Sequence, residues 1–224
     1  MSRGCQVNFS HIGKETIMET GKKKVLLIGD SIRGGYDDYV KERLAPVAEV
    51  LYPEDSARFA QYTQRYLGDW VNTMRLDGAS VDVVHWNTGL WDVLRLYGDE
   101  PETPIAAYTA HIGRIQKRIS LLFPRAVSVF AYSTPVRAPE CWEHPDSFMR
   151  YNEDIRAYNA AARAVLEPMG VRFNDLYALL ADAPDSYHSD NTHYYTPEGT
   201  AYIGNAVVSK ILDALGMEED VLKA

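Results

Sequence analysis

Apolar positions along the chain follow two alternating patterns. Short, continuous runs of aliphatic and aromatic residues, each ended by turn-forming residues, predict buried parallel strands. Longer stretches with apolar residues at helical spacing predict amphipathic helices. The predicted strands are residues 25–28, 48–52, 81–86, 127–132 and 171–174, and the predicted helices are residues 36–44, 61–74, 105–123, 148–166 and 196–215. Because strand and helix alternate five times, the pattern predicts an α/β domain with a five-stranded parallel sheet and helices on both faces.

The pattern predicts a well-defined helix near the C-terminus but no regular structure at the N-terminus. The last helix has Thr196 at its N-cap, Pro197 in its first turn and Gly216 just beyond its end. Residues 1–23 are rich in polar residues and glycine and show no sustained period, which predicts a loosely held arm. No repeat or linker divides residues 24–224, so these residues are predicted to form a single domain.

Charge and composition narrow the classes of partner. The 224-residue chain has 23 basic and 31 acidic residues, a net charge of −8, which disfavours binding to a nucleic-acid backbone. The sequence lacks a run near the ~18 apolar residues of a membrane span and lacks a basic-then-apolar leader. We therefore expect a cytoplasmic protein that does not bind membranes. Cys5 and Cys141 lie far apart in unlike surroundings, so each is expected to be a free thiol.

Candidate chemistry follows three of the predicted strands. Ser31 ends a Gly-Asp-Ser run after the first strand, Asn87 follows the third strand, and Asp190 and His193 follow the fifth. The carboxyl ends of parallel strands meet at one edge of the sheet, where α/β proteins bind ligands. We therefore expect a hydroxyl, an amide, a carboxylate and an imidazole to lie together at that edge.

These side chains are the types that nucleophilic catalysis by serine requires. Asp190 and His193 are three residues apart, so the carboxylate can accept from one ring nitrogen while the other nitrogen faces Ser31. The side-chain amide of Asn87 and the backbone N–H of Ser31 are candidate donors to an oxyanion. Asp30 is expected to hold the loop behind the serine.

In this order the motifs resemble those of the SGNH (GDSL-type) serine hydrolases. The matches are Gly29-Asp30-Ser31, Asn87-x-Gly89, and Asp190-x-x-His193 with a Thr-Pro-Glu-Gly run after the histidine, and the resemblance extends over residues 24–215. It implies a three-layer α/β/α, flavodoxin-like, doubly wound fold. It also implies ester hydrolysis through an acyl-enzyme, with neither a metal nor an organic cofactor. Carried over by position, Ser31 is the nucleophile, His193 the base, Asp190 its partner and Asn87 an oxyanion donor.

One element of the family's oxyanion hole is missing from the sequence. In the family the remaining donor is a backbone N–H, usually of glycine, in the loop after the second strand. Here that loop reads EDSARFA and contains no glycine. Gly68 lies inside a predicted helix and is rejected as the donor. A backbone N–H from residues 56–58 is the expected substitute, with Ala57 as the candidate.

Two long loops at the same edge carry candidate substrate-binding residues. Trp91 and Asp92 lie in the first loop, and Trp142, Glu143 and His144 lie in the second. Aromatic rings there could stack on sugar rings while polar groups bind hydroxyls. Alternatively, the loops pack on their own side chains. Both interpretations stay open, with Trp91, Asp92 and Trp142 as the named candidates for substrate binding.

Other motifs have simpler interpretations. His188 could join Asp190 and His193 in a metal site, but the spacing matches no recognised zinc pattern, so we expect a rim histidine and no metal. His85 lies within a predicted strand and is expected to be a core residue. The GDSIRGG run lacks the spacing and the Lys-Ser/Thr of a phosphate-binding loop, which argues against nucleotide binding.

The predicted function is that of a serine esterase that removes small acyl groups, above all acetyl, from a carbohydrate or a similar polyhydroxylated molecule. Its partner would be a small-molecule or oligosaccharide ester. Two other hypotheses stay open. One is an acyltransferase that uses the same residues, with a sugar hydroxyl as the acceptor. The other is a carbohydrate-binding module that has kept the fold and lost catalysis.

Overall fold

The computed structural model describes residues 21–142 and 147–223. Its strands are β1 (Lys23–Ile28), β2 (Ala48–Leu51), β3 (Val83–Trp86), β4 (Arg95–Leu96), β5 (Val127–Ala131), β6 (Phe148–Met149) and β7 (Arg172–Asn174). Its α-helices are α1 (Ser31–Leu44), α2 (Ala60–Thr73), α3 (Ile105–Leu122), α4 (Asn152–Leu166), α5 (Leu176–Leu180) and α6 (Pro197–Leu215). Short 3₁₀ helices cover Gly78–Ser80, Pro139–Cys141, Glu167–Met169, Asp185–Tyr187 and Glu219–Lys223. Residues 1–20 of the predicted arm lie outside the described residues, and Lys23 already belongs to β1.

Five strands form one parallel sheet in the order β2-β1-β3-β5-β7. β1 lies between β2 and β3, and Val25 pairs with Val50 on one side and with Val83 on the other. Val25, Leu26 and Leu27 are fully buried, as expected of a parallel strand that helices cover on both faces. The predicted five-stranded parallel sheet is confirmed.

Helices cover both faces of this sheet. α1 packs against α6, while α2, α3 and α4 pack side by side as a separate group. The core runs through the sheet, where Trp86 and Phe130 on neighbouring strands pack edge to face with ring centroids 4.7 Å apart. The architecture is the predicted three-layer α/β/α arrangement. Among the helices that the structure describes, none has the length and apolar character of a membrane-spanning helix.

α1 begins at Ser31 rather than at residue 36, where the sequence pattern predicts its start. Asp30 caps the helix by accepting the N–H of Ile32 at 3.0 Å. The helix therefore includes Gly35, although glycine is a poor helix former. A larger residue would not fit at this position, because a Cβ at Gly35 would lie 2.5 Å from the ring of Tyr195. The first turn of α1 thus lies directly at the carboxyl edge of the sheet.

The helix predicted for residues 148–166 is wrong at its start. α4 begins at Asn152, whereas Phe148–Met149 forms β6, which pairs antiparallel with β4. A tertiary contact strengthens this ribbon, because Arg95 of β4 forms an ion pair with Asp154 of α4 at 2.8 Å. Pairing between strands that lie far apart in the sequence leaves no local period, so the pattern could not reveal it.

His85 is a fully buried core residue, as the sequence predicts. It lies in β3, and its Nε2 is 3.2 Å from Nδ2 of Asn174 at the end of β7. Since the amide nitrogen can only donate, Nε2 is the acceptor in this bond. Burial lowers the pKa of His85 to about 3, so the ring stays neutral at physiological pH.

Replacing His85 by glutamine should change how stability depends on pH. In the unfolded chain the imidazole titrates near the ordinary pKa of 6.5, so acid protonates the unfolded state first. Stability of the wild type should therefore fall, relative to the variant, as the pH drops from 6.5 towards 3, by up to about 1.4 kcal/mol per pH unit. Urea unfolding of both proteins between about pH 7.5 and pH 5 measures this difference.

The comparison isolates His85 because both proteins share their other titrating groups. Burial raises the pKa of Asp92 to about 6, which acts on stability in the opposite sense but is common to the two proteins. A difference in the free energy of unfolding that stays constant below pH 6.5 would contradict the neutral, buried state of His85.

Candidate active site

Ser31, His193 and Asp190 lie in one chain of hydrogen bonds at the carboxyl edge of the sheet. Ser31 Oγ is 2.8 Å from His193 Nε2, and His193 Nδ1 is 2.7 Å from Asp190 Oδ2. Because a carboxylate only accepts, Nδ1 carries the ring proton and Nε2 accepts from the serine hydroxyl. The structure thus brings together the three side chains that the sequence singles out.

Asp190 also shapes the loop that carries the imidazole. Its Oδ1 accepts the backbone N–H groups of Thr192 at 2.7 Å and of His193 at 2.8 Å. One carboxylate oxygen therefore fixes the backbone while the other orients the ring. Partial burial by itself would raise the pKa of Asp190, but the hydrogen bonds from Thr192 and His193 outweigh it and lower that pKa. The carboxyl group therefore stays ionised at lower pH than an ordinary aspartate.

Asp30 joins the nucleophile loop to the end of β3. Its side chain is fully buried and accepts from Ile32 N–H at 3.0 Å and from Asn87 Nδ2 at 2.9 Å. Burial raises the pKa of Asp30 in spite of the bonds from Asn87 and Ile32. These contacts agree with the expectation that Asp30 holds the loop behind Ser31.

Asn87 lies beside the loop that leads to Ser31. Its amide gives one N–H to Asp30, which leaves the second N–H of Nδ2 without a described protein partner. The approach is close, because a Cβ at Gly29 would come within 1.9 Å of Asn87 Oδ1. Only glycine fits at position 29, which explains the first residue of the Gly-Asp-Ser run. Asn87 is thus held against the loop that carries Ser31.

The expectation that Ala57 supplies the missing oxyanion donor is wrong. Ala57 is fully buried, and its N–H donates to the carbonyl of Gly29 at 2.8 Å. This bond ties the loop after β2 to the nucleophile loop, so the N–H is not available to a ligand.

Arg58, the next residue, has a left-handed backbone conformation. Its φ is +49°, in the left-handed region that favours glycine. Its carbonyl accepts from Thr88 Oγ1 at 3.3 Å, beside Asn87. Its N–H lies 3.4 Å from Ser56 Oγ, longer than an ordinary hydrogen bond. The loop therefore presents an N–H of residue 58 that can change partner at little cost.

Asp92, one of the candidates for substrate binding, packs inside the loop, as the second of the two interpretations has it. It is fully buried and accepts from the N–H of Ala60 at 3.0 Å and from Thr88 Oγ1 at 3.2 Å. Burial raises its pKa to about 6 despite these bonds. Asp92 instead fastens the start of α2 to the loop after β3.

The two tryptophans of the edge loops differ in exposure. Trp91 is partly exposed, whereas Trp142 is buried and donates from Nε1 to the carbonyl of Arg137 at 3.0 Å. Trp142 and Phe148 pack edge to face and line a cleft of about 370 Å³ that reaches Asp190. The predictions for Glu143 and His144 lie outside the described residues.

His188 packs face to face against Tyr194, with ring centroids 4.1 Å apart and planes tilted by 33°. Burial and nearby Arg137 lower its pKa. Among the residues that the structure describes, no group of three or more histidine, cysteine, aspartate or glutamate side chains is placed to hold a metal ion. His193, the other imidazole of this loop, is already engaged by Ser31 and Asp190.

Comparisons with known proteins bear on the fold. No protein-family model matches the sequence, and no curated protein matches it. A solved structure of a lipase/acylhydrolase from Enterococcus faecalis has a TM-score of 0.65 at 18% identity, covering 84% of this chain and 95% of that one. A protein from Slackia heliotrinireducens, proposed to be an SGNH hydrolase, has a TM-score of 0.63 at 18% identity, covering 85% and 100%. The fold is that of the SGNH hydrolases.

An acetyl xylan esterase shares the same fold, with a TM-score of 0.63 at 17% identity over 84% of this chain and 99% of that one. At such identities the likeness concerns the SGNH fold alone. The residues at the sheet edge have to be judged from their own contacts.

Two residues beside the SGNH motifs were missed by sequence reasoning. Arg150 is 9% exposed, donates from Nε to the carbonyl of Leu90 at 2.5 Å, and reaches Thr192 Oγ1 from Nη1 at 3.4 Å. It therefore links the loop after β3 to the loop that carries the imidazole. Burial lowers its pKa, opposed by the charges of Asp30 and Asp190. The residue falls within the helix predicted for 148–166, and nothing in its sequence context separates it from a surface arginine.

Tyr195 is the second residue that sequence reasoning missed. Its ring stacks on the ring of His193, and its hydroxyl donates to the carbonyl of Ser31 at 2.7 Å. The only signal in the sequence is the pair of tyrosines that follows the histidine, and this pair gives no indication which ring faces outward.

Replacing Arg150 by methionine should destabilise the protein by about 1–3 kcal/mol, because the carbonyl of Leu90 loses its donor inside the protein. Urea unfolding measures the loss, with Arg156→Met as the matched control. Arg156 lies six residues later on α4, is exposed and bonds the hydroxyl of Tyr177, so its replacement should cost less than about 0.5 kcal/mol. Equal losses for the two variants would contradict the linking role of Arg150.

Proposed function

We propose that this protein is a serine ester hydrolase whose nucleophile is Ser31. The observation that carries the proposal is the chain of hydrogen bonds from Ser31 Oγ through His193 to Asp190, with lengths of 2.8 and 2.7 Å. The solved structures that share the fold support it, since they include a lipase/acylhydrolase and an acetyl xylan esterase.

The proposed reaction begins when Ser31 Oγ attacks the ester carbonyl and His193 Nε2 takes the hydroxyl proton. Asp190 accepts from Nδ1–H throughout, which fixes the tautomer and stabilises the imidazolium. The imidazolium then donates its proton to the leaving alcohol, and the acyl group stays on Ser31. In the second half, His193 takes a proton from water, the water oxygen attacks the acyl carbon, and the carboxylic acid leaves as Ser31 regains its proton.

Three donors are proposed to stabilise the oxyanion that forms in each half. The N–H of Ser31 lies at the first turn of α1, whose positive end favours negative charge. The second amide N–H of Asn87 and the N–H of Arg58 complete the set. Arg58 with its φ of +49° replaces the glycine that the sequence lacks. This reduces the case for a carbohydrate-binding module with a distorted oxyanion hole.

The proposed substrate is a small acyl ester, above all acetyl, on a carbohydrate. The cleft beside Asp190, with a volume of about 370 Å³, is lined by Trp142, Phe148 and polar side chains. Aromatic rings with neighbouring polar groups are suited to sugar rings and their hydroxyls.

Ser31→Ala should reduce hydrolysis of p-nitrophenyl acetate by roughly 10⁴ to 10⁶, because the nucleophile is lost. A fluorophosphonate should label the wild type at Ser31, located by mass spectrometry of the peptide, and should leave the variant unlabelled. Ser120→Ala, on the exposed side of α3, is the control and should behave as the wild type. Retention of most activity by Ser31→Ala would refute the proposal.

Arg58→Gly should keep activity within a few-fold of the wild type, because the donor is a backbone N–H and glycine suits a positive φ. Arg58→Pro should lower turnover by ~10² to 10³, since proline has no N–H and cannot adopt this φ. The measurement is kcat for p-nitrophenyl acetate on variants whose circular dichroism matches that of the wild type.

Arg58→Ala separates the backbone from the side chain. It keeps the N–H and should stay active, but it should be less stable than Arg58→Gly by about 1 kcal/mol because it retains the left-handed strain. Normal turnover by a folded Arg58→Pro, or equal stability of the alanine and glycine variants, would speak against Arg58 as the donor.

A further inference from the structure

Tyr195 contacts both members of the Ser31–His193 pair. Its ring lies on the imidazole with centroids 4.6 Å apart and planes only 23° from parallel. Its hydroxyl donates to the backbone carbonyl of Ser31 at 2.7 Å. The residue is nevertheless 45% exposed, so it lies at the opening of the site and not in the core beneath it.

The backbone of Tyr195 is held in the same loop as the imidazole. Its N–H donates to Ser189 Oγ at 3.2 Å, and the N–H of Ser189 donates to the carbonyl of His193 at 2.9 Å. The ring therefore cannot shift without disturbing the short loop on which the base lies.

α1 provides the opposite wall for this ring. A Cβ at Gly35 would come within 2.5 and 2.6 Å of two adjacent carbons, Cε1 and Cδ1, at one edge of the ring. Glycine at this helix position is therefore required by the tyrosine. At Gly34, one residue earlier, a Cβ would meet nothing within 4 Å. Of these two neighbouring glycines, only Gly35 lies against Tyr195.

These contacts affect the distance between Ser31 Oγ and His193 Nε2, on which proton transfer depends. Ser31 lies on α1 and His193 on a loop 162 positions later, and Asp190 holds the imidazole from the loop side only. A bond from Tyr195 to the Ser31 carbonyl ties the two elements together on the side of the reacting atoms. The stacked ring limits rotation of the imidazole out of the plane in which Nε2 faces Oγ.

We propose that Tyr195 is a positioning residue that holds the imidazole of His193 at hydrogen-bond distance from the Ser31 hydroxyl. The inference rests on the proposed function, in which this pair performs acyl transfer. It assigns to Tyr195 no contact with the substrate, so its loss should lower kcat and leave KM nearly unchanged. A misplacement of about 1 Å at a reacting pair can reduce the rate ~10²-fold.

Two variants separate the role of the ring from that of the hydroxyl. Tyr195→Phe keeps the stacking and loses the bond to the Ser31 carbonyl, and we expect kcat to fall several-fold. Tyr195→Leu loses both, and we expect a fall of ~10 to 10²-fold with KM changed by less than about threefold. Partial rescue by phenylalanine relative to leucine distinguishes a positioning ring from a residue that only stabilises the fold.

Gly35→Ala tests the same position from the helix side. The added methyl should push the ring away from the imidazole and lower kcat ~10-fold or more, while Gly34→Ala is the matched control and should keep the wild-type kcat. Both substitutions favour the helix by propensity, so a loss confined to position 35 cannot come from a weakened helix.

The rate of labelling of Ser31 by a neutral fluorophosphonate is the second readout, because it reports activation of the hydroxyl without the natural substrate. Circular dichroism and urea unfolding establish that each variant is folded. We expect slower labelling of Tyr195→Leu and Gly35→Ala than of the wild type and Gly34→Ala.

Wild-type labelling rates and kcat in folded Tyr195→Leu would overturn the positioning role while leaving Ser31 as the nucleophile. A wild type that is not labelled at all would overturn the proposed function and the positioning role with it.

Discussion

The geometry of the sheet edge depends on the hydrogen bonds that the carboxyl group of Asp30 accepts. It is fully buried, yet it is bonded to the backbone at the start of α1 and to the amide of Asn87 after β3. A buried charge or carboxyl group is tolerated only when such bonds offset the loss of hydration. Asp30 therefore fixes the serine loop and Asn87 relative to each other, and the bonds from both of them stabilise the buried carboxyl group.

Asp92 and Asp190 extend the same principle to the neighbouring loops. Asp92 accepts the N–H of Ala60 and binds the start of α2, and Asp190 accepts the N–H groups of Thr192 and His193. Each carboxylate thereby orders a segment that has no sheet or helix partner of its own. Of the three, Asp190 is the one whose carboxylate accepts a hydrogen bond from an imidazole, that of His193.

The sequence predicts those parts of the molecule whose cause is local. The strands and helices follow from hydrophobic spacing, and Ser31, Asp190 and His193 stand out because each follows a strand at the same edge. Local pattern says nothing about which side chain is buried by a distant element, so the sequence left open whether Asp92 binds substrate or packs inside its loop. It also could not show that strand pairing, and not helix formation, would govern Phe148–Met149.

The left-handed backbone conformation of Arg58 could not be predicted from the sequence either. A left-handed conformation is easy to anticipate at glycine, but at Arg58 it is imposed by the bond from Thr88 and by the anchoring of Ala57 to Gly29. The contacts of Tyr195 and Arg150 could not be predicted from the sequence for a related reason. Their roles come from groups that lie far from them in the chain, namely the carbonyls of Ser31 and Leu90.

The separation of 162 positions between Ser31 and His193 has a consequence for biosynthesis. While the chain emerges from the ribosome, the serine loop, β1 and α1 are made early, yet no base can reach the hydroxyl until the segment beyond β7 has emerged and α6 has docked on α1. In a partly synthesised chain the Ser31 hydroxyl is without this imidazole. Under the proposed function, reactivity towards esters would arise only after His193 has joined Ser31, and it would mark a chain whose distant segments have come together.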